Sequence, residues 1–162
     1  MRNPDAEYSD LDWEIHAPAL TRVLTWIRDR YTKLPLYVTE NGCALPEPSV
    51  LGPGTRRLDD PRRVAYLRDH LRAVRDALAA GVDVRGYFAW SLLDNLEWGH
   101  GFSKRFGVLH VDHASQKRTP KASASYLRAL AVTNGAVLDG ELPGDVSALP
   151  DLPELPSVAA KT

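Results

Sequence analysis

Cysteine is all but absent, Cys43 being the single one in 162 residues. That excludes an intramolecular disulfide framework, and the bland reading of Cys43 is a small, half-buried filler. A surplus of charge is missing too. Twenty Lys and Arg stand against twenty-one Asp and Glu, so electrostatics give no reason to expect nucleic acid or an anionic membrane surface as partner. No apolar run approaches the length of a membrane span, and Met1-Arg2-Asn3-Pro4-Asp5 lacks the apolar centre of a signal peptide. A cytoplasmic, soluble protein is the expectation. His110 and His113 have no matching cysteines or acidic cluster in sequence, so no metal site is expected. Gly52-Pro53-Gly54 lacks the Lys-Ser/Thr of a phosphate loop, and there is no Gly-x-Ser-x-Gly elbow. No cofactor is implied, and no internal repeat is visible.

What is present is ordinary for one folded core: 44% hydrophobic and 25% charged residues. Residues 1–12 are polar and acidic and read as a loop or frayed end. Pro18 opens a helix of roughly residues 18–31, with Leu20, Val23, Leu24, Ile27 and Tyr31 on one face. Leu36-Tyr37-Val38-Thr39 then reads as a strand buried on both faces, ended by Asn41-Gly42. Glu40 stands at its carboxyl end, where it either begins a solvated loop or serves as a functional group. Residues 43–60 are an irregular, proline-rich loop. Asp59-Asp60-Pro61 starts a second helix, continued by Val64, Leu67, Leu71, Val74 and Leu78 and closed by Gly81.

Val84 to Leu92 follows as another strand. Strand, helix and strand in this order make a crossover unit with parallel strands. Both carboxyl ends then share one rim, and in parallel α/β sheets ligands bind beyond those ends. Glu40 and Asn41 leave one strand, and Trp90, Asn95, Glu97 and Trp98 leave the other. Carboxylates for bond breaking, amides for hydroxyls and indole faces for stacking suit a carbohydrate, although core packing is the commoner use of tryptophan. Phe106 to Asp112 alternates as a small hairpin or edge strand. A third helix capped by Thr119 places Ala122, Tyr126, Leu127 and Leu130 inward and stops at Asn134-Gly135. Residues 1–135 form the folded part. Residues 136–162, with Pro143, Pro150, Pro153 and Pro156, read as a disordered or loosely packed tail.

Tyr37-Val38-Thr39-Glu40-Asn41-Gly42 resembles the nucleophile motif of family 1 glycoside hydrolases, the β-glucosidase and β-galactosidase family. Gly86 to Trp98 is similar to that family's eighth-strand signature. Lys104-Arg105-Phe106-Gly107 and Lys117-Arg118-Thr119-Pro120-Lys121 match in the same order. The resemblance, from about Leu11 to Asn134, implies a partial TIM (β/α)8 barrel of α/β class, with strands 7 and 8 and their flanking helices. It implies a retaining β-glycosidase in which Glu40 is the nucleophile. Glu97 and Trp98 would bind sugar hydroxyls, Trp90 would stack beneath the ring, and Phe106 would line the same subsite. Trp13 would flank the leaving group, although Asp12 stands where glycine is usual.

The family's acid/base glutamate belongs to an Asn-Glu-Pro motif that this sequence does not contain. Two barrel strands also fall far short of the roughly 200–250 residues of a complete barrel. The expectation is a carboxy-terminal piece, inactive alone, whose partners are a glucoside or galactoside and either the missing amino-terminal barrel half or a second copy. Two alternatives stand beside it: a sugar-binding half-site without catalysis, and a gene remnant with no stable fold.

Overall fold

The structure, a computed structural model, describes residues 2–140 and 149–151. Its centre is the crossover unit. Strand β3 (Leu36–Asn41) pairs in parallel with β4 (Val84–Ala89), and the 19-residue helix α2 (Pro61–Ala79) connects them. Helix α1 (Pro18–Arg30) begins with proline in its first turn, where the missing N–H costs nothing, and packs against α2. Leu24 of α1 meets Val38 of β3 and Val74 and Ala77 of α2 in one small core. A larger core gathers Cys43 and Leu45 from the exit of β3, Val64, Leu67 and Leu71 from α2, and Tyr126 from the third helix.

The strands are covered on one face only. Val38 is buried, whereas Tyr37, Glu40 and Phe88 are exposed. The expectation of burial on both faces is therefore wrong: Tyr37 and Thr39, which alternate with Val38 along β3, are exposed. Helix α1 is likewise less buried than its spacing suggests, since Val23 and Tyr31 are exposed while Leu24 is covered.

Two short hairpins complete the fold. Strands β1 (Glu7–Tyr8) and β2 (Glu14–Ile15) pair antiparallel, so residues 7–15 are a hairpin and not a frayed end. Two-residue strands carry no readable period, and tertiary contacts hold them: Arg62 pairs with Glu7 at 2.6 Å, and Asp10 N–H donates to the Ala44 carbonyl at 2.9 Å. Asp12 at the turn has φ +60°, the left-handed conformation that glycine adopts freely and Asp tolerates.

Strands β5 (Leu109–Val111) and β6 (Arg118–Pro120) pair antiparallel, with His110 opposite Thr119. Helix α3 (Ala122–Val132) therefore starts after Lys121, and Thr119 is a strand residue, not its cap. The cap comes from elsewhere. Asp60, in the capping position of α2, accepts none of that helix's first backbone N–H groups through its side chain. Its carboxylate accepts the Ser123 N–H at 2.8 Å and the Ser123 hydroxyl at 2.6 Å, serving the first turn of α3.

The folded part also runs past residue 135. Ala136–Leu138 forms one 3-10 turn, with Leu138 buried against α2 and its carbonyl accepting from Arg72 at 2.7 Å. The first residues assigned to a loose tail thus pack, because Leu138 completes the larger core. Of the remainder of that tail, 141–148 and 152–162 lie outside the described residues. No helix among the described residues is long and apolar enough to cross a membrane.

Candidate active site

Beyond the carboxyl ends of β3 and β4 lies a cleft of about 460 Å³. Its lining is Trp13, Glu40, Asn41, Gly42, Trp90, Leu96, Glu97, Trp98 and Phe106. Every site residue expected from sequence, Glu40, Trp90, Glu97, Trp98, Phe106 and Trp13, is therefore at one place. Asn95 is the exception among the amides considered. It leaves the cleft and donates to the Ser91 hydroxyl at 3.3 Å.

The β3–β4 ladder places these groups. It ends where Trp90 N–H donates to the Asn41 carbonyl at 2.8 Å. After Ala89 the chain changes partner: Val108 and Leu109 N–H donate to the carbonyls of Ser91 and Leu92, both at 2.9 Å. The second strand accordingly stops three residues earlier than its apolar run suggests. The two exits press together at Gly42, where a Cβ would lie 1.7 Å from the Trp90 carbonyl oxygen. Only glycine fits there. Tyr87 donates its hydroxyl to the Asn41 amide oxygen at 2.7 Å, which fixes the orientation of that amide at the end of β3. Tyr66 donates to the Gly42 carbonyl at 3.1 Å.

The aromatic lining differs in exposure. Trp98 is 94% exposed and Trp90 38%, so both offer a face for stacking. Phe106 is only 3% exposed and forms the floor. Trp13 reaches over it from the β1–β2 turn, ring centroids 6.2 Å apart. Glu40 and Glu97 are the ionisable groups of the described lining, which contains no Lys or Arg.

Behind the cleft lies a buried ionic cluster that sequence reading did not find. Lys121 Nζ contacts Glu47 Oε2 at 2.6 Å and Asp94 Oδ1 at 3.0 Å. Arg63 pairs with Glu47 and Asp60 and donates to the carbonyls of Cys43 at 2.7 Å and Arg105 at 3.1 Å. Asp94 also accepts from Arg105 at 3.3 Å and from the Gly107 N–H at 2.9 Å. Three carboxylates (Glu47, Asp60, Asp94) thus face three cations (Arg63, Arg105, Lys121). In the sequence Asp60 reads only as a helix cap, and the one signal for the others is that Asp94, Arg105 and Lys121 fall in family-like motifs.

Glu47, Asp94 and His110 have ligating atoms within 4.8 Å of one another, a spacing a metal could use. The Lys121 ammonium already contacts both carboxylates, so the cation in this cluster belongs to the protein. Burial first, and then Arg105, holds His110 below the ordinary imidazole range. Cys43 is fully buried, not half-buried, and burial pushes its thiol up to about 12.

Known proteins match most of this chain. The Glycosyl hydrolase family 1 model matches residues 1–136. A bifunctional β-D-glucosidase/β-D-fucosidase of Bifidobacterium breve is 47% identical over 122 residues, 75% of this chain and 26% of that protein. A 6-phospho-β-galactosidase of Lacticaseibacillus rhamnosus is 43% identical over 131 residues, 79% of this chain and 27% of that protein. The β-glucosidase of Thermotoga maritima in complex with glucoimidazole superposes with a TM-score of 0.74 at 36% identity, covering 83% of this chain and 30% of that one. The chain spans about a quarter of the length of the curated relatives it matches. Those structural neighbours are TIM-barrel enzymes, and the two parallel strands here, with no closed barrel among the described residues, are consistent with part of one.

Proposed function

The chain belongs to glycosyl hydrolase family 1, and on that premise we propose that it carries the nucleophile side of a retaining β-glycosidase site, on strands corresponding to the last two of the barrel. Glu40 attacks the anomeric carbon. Glu97 and the Trp98 indole N–H hold hydroxyls of the sugar being cleaved. Trp90 stacks beneath the ring, Phe106 closes the floor, and Trp13 flanks the leaving group. One observation carries this reading: all six side chains line one cleft at the carboxyl ends of a parallel strand pair.

The chemistry fits the lining. A retaining pair stands about 5–5.5 Å apart, so that the carboxylate reaches carbon without an intervening water. The nucleophile must be ionised, and Glu40 is exposed. The second carboxyl, the proton donor, is not supplied by these residues, since the sequence contains no Asn-Glu-Pro. Glu97 is committed to hydroxyls. The donor comes from a polypeptide that covers the open face of β3 and β4, where Tyr37 and Phe88 are exposed.

The substrate is a neutral glycoside, a glucoside or galactoside. Two carboxylates and no cation in the described lining repel a phosphorylated sugar, unlike the substrate named for the Lacticaseibacillus relative. The test has two steps. The purified chain is titrated with glucoimidazole, where saturable binding is expected, and assayed with an aryl β-glucoside, where no turnover is expected. Adding an Asn-Glu-Pro-bearing barrel segment should then give turnover that Glu40→Gln abolishes. Clear turnover by the 162 residues alone, lost in Glu40→Gln, would refute the need for a second segment.

A further inference from the structure

The geometry points to Lys121 as a positioning residue: we propose that it locks the exits of β3 and β4 at one separation and so sets the spacing between Glu40 and the Glu97–Trp98 pair. The inference rests on the reading of the cleft as a sugar site. Among the described residues, two groups reach carboxylates from both exits, Glu47 after β3 and Asp94 after β4: Lys121 Nζ at 2.6 and 3.0 Å, and the His110 ring at 3.8 and 3.7 Å, so Lys121 makes the close contacts. Its side chain is 0% exposed and lies at the junction of β6 and α3. The main chain there is tied down as well, Lys121 N–H donating to the Val108 carbonyl at 3.0 Å.

Each carboxylate in turn fixes its own segment. Glu47 is held against Arg63, which binds the Cys43 carbonyl. Cys43 follows Asn41 and Gly42 of the cleft directly. Asp94 accepts from the N–H groups of Gly107 at 2.9 Å and Val111 at 3.3 Å, three residues before Glu97. A Cβ at Gly107 would stand 2.2 Å from the Asp94 nitrogen, so that contact is as close as two backbones allow.

Stability alone does not call for an ammonium here. A buried ion pair usually does no better than apolar side chains of the same volume. What Lys121 adds is direction: its donors reach two carboxylates that no apolar group would hold together. That is the support a site needs when its groups must sit within about 0.5 Å of their working positions.

The test replaces Lys121→Met together with Glu47→Gln, which removes one charge of each sign and leaves Asp94 with Arg105 and Asp60 with Arg63. Amide hydrogen exchange is read on the full chain. At least tenfold faster exchange at Asp94, Glu97 and Gly107 is expected, with amides of α2 and of the β3–β4 ladder unchanged. Equal acceleration everywhere, no change at the exits, or loss of the far-UV dichroism of the double variant would each make Lys121 a merely structural residue and overturn the proposal. Glucoimidazole affinity should fall at least tenfold in the double variant. Failure of the unaltered chain to bind glucoimidazole overturns the sugar-site reading itself. Binding by the unaltered chain with no loss in the double variant overturns only the role given to Lys121.

Discussion

Gly42→Ala is the smallest change that strikes the cleft where its two halves meet. The added methyl carbon would lie 1.7 Å from the Trp90 carbonyl oxygen and 2.7 Å from its carbon, where an ordinary contact begins at 3.4 Å. Backbone, not a pliable side chain, is on both sides. One exit must therefore shift by roughly 1.5 Å or more, breaking the Trp90-to-Asn41 bond that ends the ladder. Over-packing of this kind costs about 3 kcal/mol at the upper end of its usual range. For a chain of this size that lowers Tm by about 6–12 °C. The shift also moves Glu40 relative to Trp90, and a misplacement of about 1 Å costs on the order of a hundredfold in a catalytic geometry. Thermal unfolding and glucoimidazole titration measure the two effects. Gly99→Ala is the control, because nothing lies within 4 Å of its Cβ and its φ is not positive; less than about 0.5 kcal/mol is expected. A Gly42→Ala protein with the Tm and affinity of the unaltered chain would refute the close approach on which the cleft is built.

Three further outcomes follow from the same structure. Asp60→Ala leaves the buried Ser123 N–H and hydroxyl without their acceptor and takes one of two carboxylates from Arg63, which keeps Glu47, so urea unfolding should show a loss of about 1–3 kcal/mol; Asp60→Asn, which keeps an acceptor, should cost less than half of that. Asp12→Val forces a β-branched residue to φ +60° at about 1–2 kcal/mol, whereas Asp12→Gly should not. Faster exchange of the Ser9 and Trp13 amides in the valine variant alone checks this. Stability should also fall as pH drops below the ordinary imidazole value of 6.5. His110 and His70 are held below that value chiefly by burial, so below it the unfolded chain takes up protons that the folded chain refuses, and the loss continues down to the folded values. Burial holds the Asp60 carboxyl above its ordinary value, which works in the opposite sense at lower pH. Comparing Tm from pH 7.5 to 5 with that of His110→Asn isolates the imidazole, and equal slopes would reject its part.

How much of this was legible in the chain depends on the range of the interaction. The β3–α2–β4 crossover follows from local period and breakers, and the residues at its two ends follow from topology. The alternation of Phe106 to Asp112 shows the edge strand that holds Leu109–Val111, but Arg118–Pro120 takes its strand form only from pairing with it, so the sequence places the start of α3 too early. Asp60 looked like the cap of its own helix, and the helix it serves is 63 residues away in sequence. The hairpin at residues 7–15 is too short to show a period. Asp12 at the position of a family glycine was puzzling as a letter and plain as a dihedral angle. The buried cluster is the clearest case. Nothing in a balanced composition says which three cations and three carboxylates leave water together.

That cluster also decides what a chain with two barrel strands can retain. Arg63 from α2 holds the exit of β3 through the Cys43 carbonyl, Asp94 ties the exit of β4 to Gly107 and Val111, and Lys121 at the start of α3 contacts a carboxylate of each. All of these lie behind the cleft, on the covered side of the strands. None of them depends on further strands at the open face. Two free strand edges remain a liability for self-association, but the relation between Glu40 and its aromatic cradle is fixed by groups the chain itself contains. On the proposed reading, holding a sugar and cleaving it are separable properties: the first would follow from the packing of α2, α3 and the β5–β6 hairpin, and the second would wait on a proton donor from the other side of the cleft.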